Sequence, residues 1–166
     1  PDRKNFLRLC ENIILNGFEN VTLLNAAVTS GTGLIKFYTK EDEIGSSGGQ
    51  TFFPKDEGGN VFKPIREYLI PSISLISVLN SPCAAHIKID VDGQEEAVIK
   101  GIGFPSTFKF IKSILVEINN RKDFIVDVCK AAGLTDDNVF NRQKDHSRVR
   151  RAIEGIKAEN IIFTRR

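Results

Sequence analysis

Methionine is absent from all 166 residues, position 1 included, so the sequence does not open on an initiator, and processing or truncation is expected. Cysteine is scarce. Cys10, Cys83 and Cys129 are odd in number, widely spaced, and form no C-x-x-C pair. They suggest neither zinc nor a disulfide framework, and a reducing, cytoplasmic compartment suits them better. The two histidines, His86 and His146, lack metal-ligand spacing, so no metal site is expected. No apolar run approaches the roughly 20 residues of a membrane-spanning helix, and no signal peptide opens the chain. Charge of one sign is lacking too: the formal net charge of +2 is too small to imply nucleic acid or a membrane by itself.

What is present is an ordinary mixture, 41% hydrophobic and 27% charged, enough for one soluble domain over residues 1–166. A chain of this size buries roughly 70% of its unfolded surface, so it needs no staples. Its centre of organisation is Ala85-His86-Ile87-Lys88-Ile89-Asp90-Val91-Asp92-Gly93-Gln94-Glu95-Glu96. The β-branched Ile87, Ile89 and Val91 read as a strand that stops at Gly93. Beyond it Ala97, Val98, Gly101 and Ile102 share a helical face, with acids in the first turn where the helix dipole favours them. In open α/β sheets ligands bind outside the carboxyl ends of such strands, where Asp90, Asp92 and Glu95 converge. The alternative reading of the same acids is a strand end with solvated carboxylates capping a helix.

Around this centre the pattern alternates. Asp2 can cap a helix carrying Phe6, Leu9, Cys10, Ile13 and Ile14, which stops at Asn16-Gly17. Val21–Val28 is a largely apolar run, predicted as a strand covered on both faces. Leu34–Tyr38 reads as a second strand after the turn at Gly31 and Gly33. Residues 40–60, with Gly45, Gly48, Gly49, Gly58 and Gly59, form a long flexible loop by composition, either a lid or plain surface. Its glycines lack the setting of a phosphate cradle. Val61–Ile70 is predicted as a strand that Pro64 confines to an edge, and Ser74–Leu79 as a short helix. Gly101, Gly103 and Pro105 stop the central helix. Ser113–Asn119 is a buried strand bearing Glu117 near its carboxyl end, Asp123–Gly133 a helix, and Ile161–Thr164 a last strand. The basic cluster Arg142, Lys144, Arg148, Arg150 and Arg151 lacks interleaved aromatics and reads as a solvated face, so no nucleic-acid partner is expected.

Strands alternating with helices indicate an α/β sheet. Particular residues then add a family. Ile87-Lys88-Ile89-Asp90-Val91-Asp92-Gly93-x-Glu95, followed by Val98-Ile99-x-Gly101, is similar to the I-K-I-D-V-E-G-x-E signature of FkbM-type methyltransferases. Pro1–Phe6 with Leu9, Asn12-Ile13 and Leu15-Asn16 resembles the start of that family's second helix, Ala27-Val28 its third strand, and Ile114–Glu117 the strand after the signature. Asp92 departs from the family's usual Glu by one methylene.

The resemblance implies a class I, Rossmann-like fold: a mostly parallel sheet with helices on both faces. It implies S-adenosylmethionine as cofactor and methyl transfer to a hydroxyl of a small molecule, glycan or lipid. It assigns cofactor contacts to Asp2, Asn5, Ala26, Ala27 and Asp90, and chemistry to Asp90, Asp92, Glu95 and Lys88. Asp90 is the expected base or acceptor-orienting carboxylate. The family's glycine loop and ribose-holding acid would lie before Pro1, an N-terminal truncation that leaves strand edges open and invites association into a homo-oligomer. Two rivals stand beside this: a silent binding module, and a nucleic-acid-binding domain using the Arg142–Arg151 cluster.

Overall fold

The computed structural model describes residues 1–46, 48–56, 58–79, 85–103, 108–118, 121–137 and 159–165. Cys83, Pro105, Asn119, His146 and the basic residues from Arg142 to Arg151 lie outside them.

Helix α1 (Arg3–Leu15) opens the chain and is capped as the sequence predicts, with the Asp2 side chain accepting from the Asn5 backbone N–H. Strands β1 (Ala27–Thr29), β2 (Gly33–Thr39), β3 (Gly49–Thr51) and β4 (Arg66–Ser74) follow. They form one sheet in the order β1-β4-β2-β3. The single turn of α2 (Leu75–Val78) leads on to β5 (Ala85–Ile89), α3 (Glu95–Lys100), β6 (Ile111–Ile118), α4 (Lys122–Ala131), β7 (Thr135–Asp136) and β8 (Glu159–Thr164). Their strands make a second sheet, β5-β6-β8-β7.

The expected mostly parallel Rossmann-like sheet is not what forms. Both sheets are mixed: β1 runs parallel to β4 and β5 to β6, while β2–β3, β2–β4, β6–β8 and β7–β8 are antiparallel. The reason lies in the connections. A parallel neighbour needs a crossover, usually a helix, and α3 supplies one between β5 and β6. No described helix lies between β2 and β4, only β3 and turns, so β4 returns antiparallel beside β2 over seven residue pairs.

Two strand predictions shift with it. Only the end of the Val21–Val28 run is a strand; Val21 and Leu24 stay exposed because β4 meets β1 over just Ala27–Thr29. The strand predicted at Val61–Ile70 forms at Arg66–Ser74, beyond Pro64. Pro71 falls one residue before β1 begins to pair, where β4 has no described partner on that side and a missing N–H is tolerated.

The larger core lies on the second sheet. Ile89, Val98, Ile99, Ile102, Phe108, Ile111, Ile114, Val116, Ile118, Ile125, Cys129, Leu134, Ile161 and Phe163 form one buried cluster. Burial pushes the Cys129 thiol up to about 12, so it behaves as a small apolar group. The first sheet buries only Ala27, Phe37 and Ile70, with Ile35 and Tyr68 beside them. Helix α1 buries no residue fully, and Leu7, Ile14 and Leu15 are exposed.

The two sheets meet at the end of α3. The Ile76 N–H donates to the Gly101 carbonyl at 3.0 Å. A Cβ added at Gly101 would stand 2.0 Å from the Thr29 carbonyl oxygen in β1, so only glycine permits this approach. That contact sets the β5–α3 turn beside the first sheet.

Candidate functional site

Alternation along β5 turns Ile87 and Ile89 toward the core and leaves His86 and Lys88 on the opposite, exposed face. Asp90 follows on that same face. The Lys88 ammonium meets the Asp90 carboxylate at 2.8 Å. Glu117, at the corresponding end of the neighbouring β6, lies beside Asp90. Lys88 first and Glu117 second hold the Asp90 carboxyl below the usual carboxylate range, while Asp90 raises the Lys88 ammonium.

The chain then turns sharply. Asp92 has φ 49° and Gly93 φ 97°, both left-handed. Two contacts and the start of a helix fix this turn. Glu95, 1% exposed, accepts from the Gly93 N–H at 2.8 Å. The Gln50 side-chain amide donates to the Asp92 carbonyl at 3.0 Å, tying the turn to β3. Glu95 also begins α3, so the packed helix carries the turn with it. Asp92 is half-buried. Burial, and secondarily the charge on Asp90, push its carboxyl above the ordinary range. The two aspartates of the motif thus diverge: Asp90 is ion-paired and a weak base, Asp92 desolvated and a stronger one.

Two cavities adjoin at this turn. The first, about 300 Å³, is lined by Asp2 and Asn5 of the α1 start, Ala26 and Ala27 at the start of β1, Gly49 and Thr51 of β3, and Asp90 and Asp92. All five residues assigned to cofactor contact by resemblance therefore meet in one hollow. Asp2, Asp90 and Asp92 are among its lining residues, with the Pro1 amino group beside them and no lysine or arginine among the described residues. The second cavity, about 410 Å³, lies between the segment after β3 and the β5–α3 turn. Thr51, Asp92 and Gln94 belong to both walls.

The expected catalytic set is thus divided. Asp90 and Asp92 reach the first cavity, Lys88 is engaged with Asp90 on the exposed face, and Glu95 lies beneath the turn as a positioning residue. Asn5 is also part of the scaffold. Its side chain donates to the Ser46 carbonyl at 2.9 Å and accepts from the Gly45 N–H at 2.7 Å, clasping the glycine-rich loop to α1. Asp2 accepts from the Tyr68 hydroxyl at 3.0 Å, and Arg3 lies 5.2 Å over the Tyr68 ring. Burial, then the bond to Asp2, push the Tyr68 hydroxyl up to about 12.

Gln50, Thr51, Phe52 and Phe53 had no motif to reveal them. Their only signal is an apolar, amide-bearing run at the exit of a glycine-rich loop. Among the described residues no trio of His, Cys, Asp or Glu is arranged to hold a metal ion. No helix among them is long and apolar enough to cross a membrane. No family model, no curated protein and no solved structure matches the chain.

Proposed function

We propose that the site serves S-adenosylmethionine-dependent methyl transfer to a hydroxyl, with Asp92 as the proton acceptor. The observation that carries this reading is the first cavity. It unites Asp2, Asn5, Ala26, Ala27 and Asp90, separated by up to 88 positions in sequence, in a wall where three aspartates outnumber the single amino group of Pro1. Such a wall favours a cation, because opposite charge at close range in a partly desolvated site is stabilising. The residues present fit the sulfonium-bearing end of the cofactor: Asp2, Asp90 and Asp92 would face its charge, and Ala26 and Ala27 would offer apolar backing. The similarity of Ile87–Glu95 to the FkbM-type signature supports the same reading. When bound, the cofactor supplies an electrophilic methyl whose bond to sulfur breaks with its electron pair left on sulfur.

The protein's own share is alignment and one proton. Asp92 stands in the wall common to both cavities, so a hydroxyl in the second reaches it while facing the first. Its raised carboxyl takes the hydroxyl proton more readily than Asp90, which Lys88 and Glu117 hold charged. Asp90 contributes a fixed negative charge. Gln50 and Glu95 hold the turn, so the base does not have to be organised during turnover.

Asp92→Asn should lower turnover about a hundredfold or more, with circular dichroism unchanged, since a positioned base is typically worth that much. The rate of the parent protein should rise with pH as Asp92 ionises, and the variant should lose that limb. A pH limb that survives in Asp92→Asn but disappears in Asp90→Asn would transfer the role to Asp90.

A further inference from the structure

Helix α1 has two unlike sides. Asn5, Phe6, Cys10 and Ile13 are half-buried and face the rest of the protein. Leu7, Glu11 and Ile14 recur at helical spacing on another side, with Leu15 next to Glu11, and all four are exposed. Leu7 is 63% exposed, Ile14 77% and Leu15 79%. Phe18, whose N–H donates to the Ile13 carbonyl just past the helix end, is exposed as well. Apolar side chains grouped in this way on a surface mark a place where something docks.

The charges on α1 say what docks there. They are divided along its length: Arg3, Lys4 and Arg8 lie in the first half, Glu11 in the second, and Glu19 just beyond. This runs against the helix dipole, for the first turn holds no acid and the last no base. In an antiparallel pair of α1 helices related by a two-fold axis, each half meets its opposite. Leu7 of one copy then faces Ile14 of the other, and Arg8 comes beside the other copy's Glu11. Within one copy Arg8 and Glu11 pair at 2.9 Å, at the surface where such a pair contributes little, so exchanging partners is easy. A membrane surface suits the stripe less well. Glu11 within it and Glu19 beyond it repel anionic lipid, while Lys4 is held by Asp42 and Arg3 lies over the Tyr68 ring.

We infer that the exposed side of α1 is an interface with a second copy of this chain, the two helices antiparallel about an axis near the middle of the helix. Such an interface must be self-complementary, which the leucine–isoleucine and arginine–glutamate pairings satisfy. A helix of 13 residues offers a strip about 20 Å long and about 10 Å wide, well short of the roughly 800 Å² per partner of a standard interface. The dimer is therefore weak and forms as concentration rises. It does not depend on the methyl-transfer reading.

Sedimentation equilibrium of the whole chain, over a roughly hundredfold range of concentration, tests it. The parent should pass from monomer to dimer and no further. Leu7→Lys and Ile14→Lys should each weaken the dimer at least about tenfold, or about 1.4 kcal/mol, with circular dichroism unchanged because both side chains are exposed. Leu34→Lys, at an exposed position of β2, should leave it as it was. Arg8→Glu and Glu11→Arg should each be monomeric alone, whereas a mixture of the two should associate, since opposite charges then meet across the axis. The inference is overturned if the parent stays monomeric throughout, if Leu7→Lys and Ile14→Lys dimerise as tightly as the parent, or if the mixed charge variants stay monomeric. A monomeric parent that sediments with phosphatidylglycerol vesicles would overturn it in favour of a membrane surface.

Discussion

The two sheets are equal in strand number and unequal in everything that holds a sheet together. The second packs one face against α3 and α4 over a cluster that includes Phe163, Ile111, Ile114 and Ile125, all 0% exposed. The first rests on Phe37, Ile70 and Ala27, and leaves Leu34 and Leu69 of its own strands exposed. Its cohesion is partly polar: Thr29 and Ser72 hydroxyls meet at 2.7 Å, and Asp42 joins Arg66 to Lys4 at the surface. The lesson is a division of labour. Stability concentrates in the second sheet, and both cavities open along the seam where the first sheet faces the β5–α3 turn. Regions of low local stability are where ligand-binding segments are usually found.

The sharpest way to break this comparison is to empty one core at a time. Phe163→Ala should cost about 3–5 kcal/mol, because the surrounding cluster cannot collapse around the lost ring. Phe37→Ala should cost about 3 kcal/mol or less, since its neighbours are few and half exposed. Denaturant unfolding measures both. Equal losses would mean that the sheets share one cooperative unit and the division fails.

Next comes the joint between them. Gly101→Ala forces a Cβ against the Thr29 carbonyl, backbone against backbone, so a shift of about 1–3 kcal/mol is expected. Hydrogen exchange should show β1 and β4 opening more readily while β6 and β8 keep their protection. Uniform loosening of both sheets would instead make Gly101 an ordinary packing position.

How much of this was legible in the sequence follows the same divide. Most of the second sheet was readable because its apolar residues keep a clean period: Ile114, Val116 and Ile118 alternate inward on β6, and Ile125 and Cys129 lie four apart on α4, whereas the two-residue β7 has no pattern to show it. The first sheet was legible only in part: Leu34–Tyr38 forms within β2, antiparallel to a later strand, but the bounds of β1 and β4 are set by what β4 finds to pair with rather than by local pattern. The Val21–Val28 run has the composition of a strand but lacks a neighbour over most of its length. At the site, the motif located Asp90, Asp92 and Glu95 but not their different surroundings. Those depend on Lys88 pairing with one carboxylate and burial acting on the other, which spacing does not encode. Thr51 and Phe52 were invisible because their place in the cavity wall comes from a turn geometry far from the motif.

A smaller effect is expected on the exposed face of β5. Lys88→Met removes a surface ion pair, and such pairs, screened by solvent, contribute little to stability. Asp90 has a folded-state pKa below its unfolded one, so its contribution is present above the unfolded value and lost as pH falls through the folded one. The difference between parent and Lys88→Met should therefore be visible at neutral pH and vanish in acid. A difference that persists in acid would mean that Lys88 acts through packing of its stem rather than through charge.

The smallest stability effect should come from the residue on which the proposed reaction would depend most. Asp92 titrates opposite to Asp90: burial raises its folded-state pKa, so its carboxyl favours the fold below the unfolded pKa and loses that contribution as pH rises through the folded one. At neutral pH the parent carries a partly desolvated charge at the seam, and at a left-handed φ where asparagine is well accommodated. Asp92→Asn removes the charge and keeps the shape. It should stabilise the protein by a few tenths of a kcal/mol, about 0.5 at most once solvent screening is allowed for. The gain should grow from acid toward neutral pH and then level off, as parallel denaturant melts of parent and variant would show. A site kept for function at the expense of stability behaves this way. Should Asp92→Asn instead destabilise at neutral pH, the carboxylate would be a structural partner of the turn, and the comparison between a stable sheet and a reactive seam would lose its strongest member.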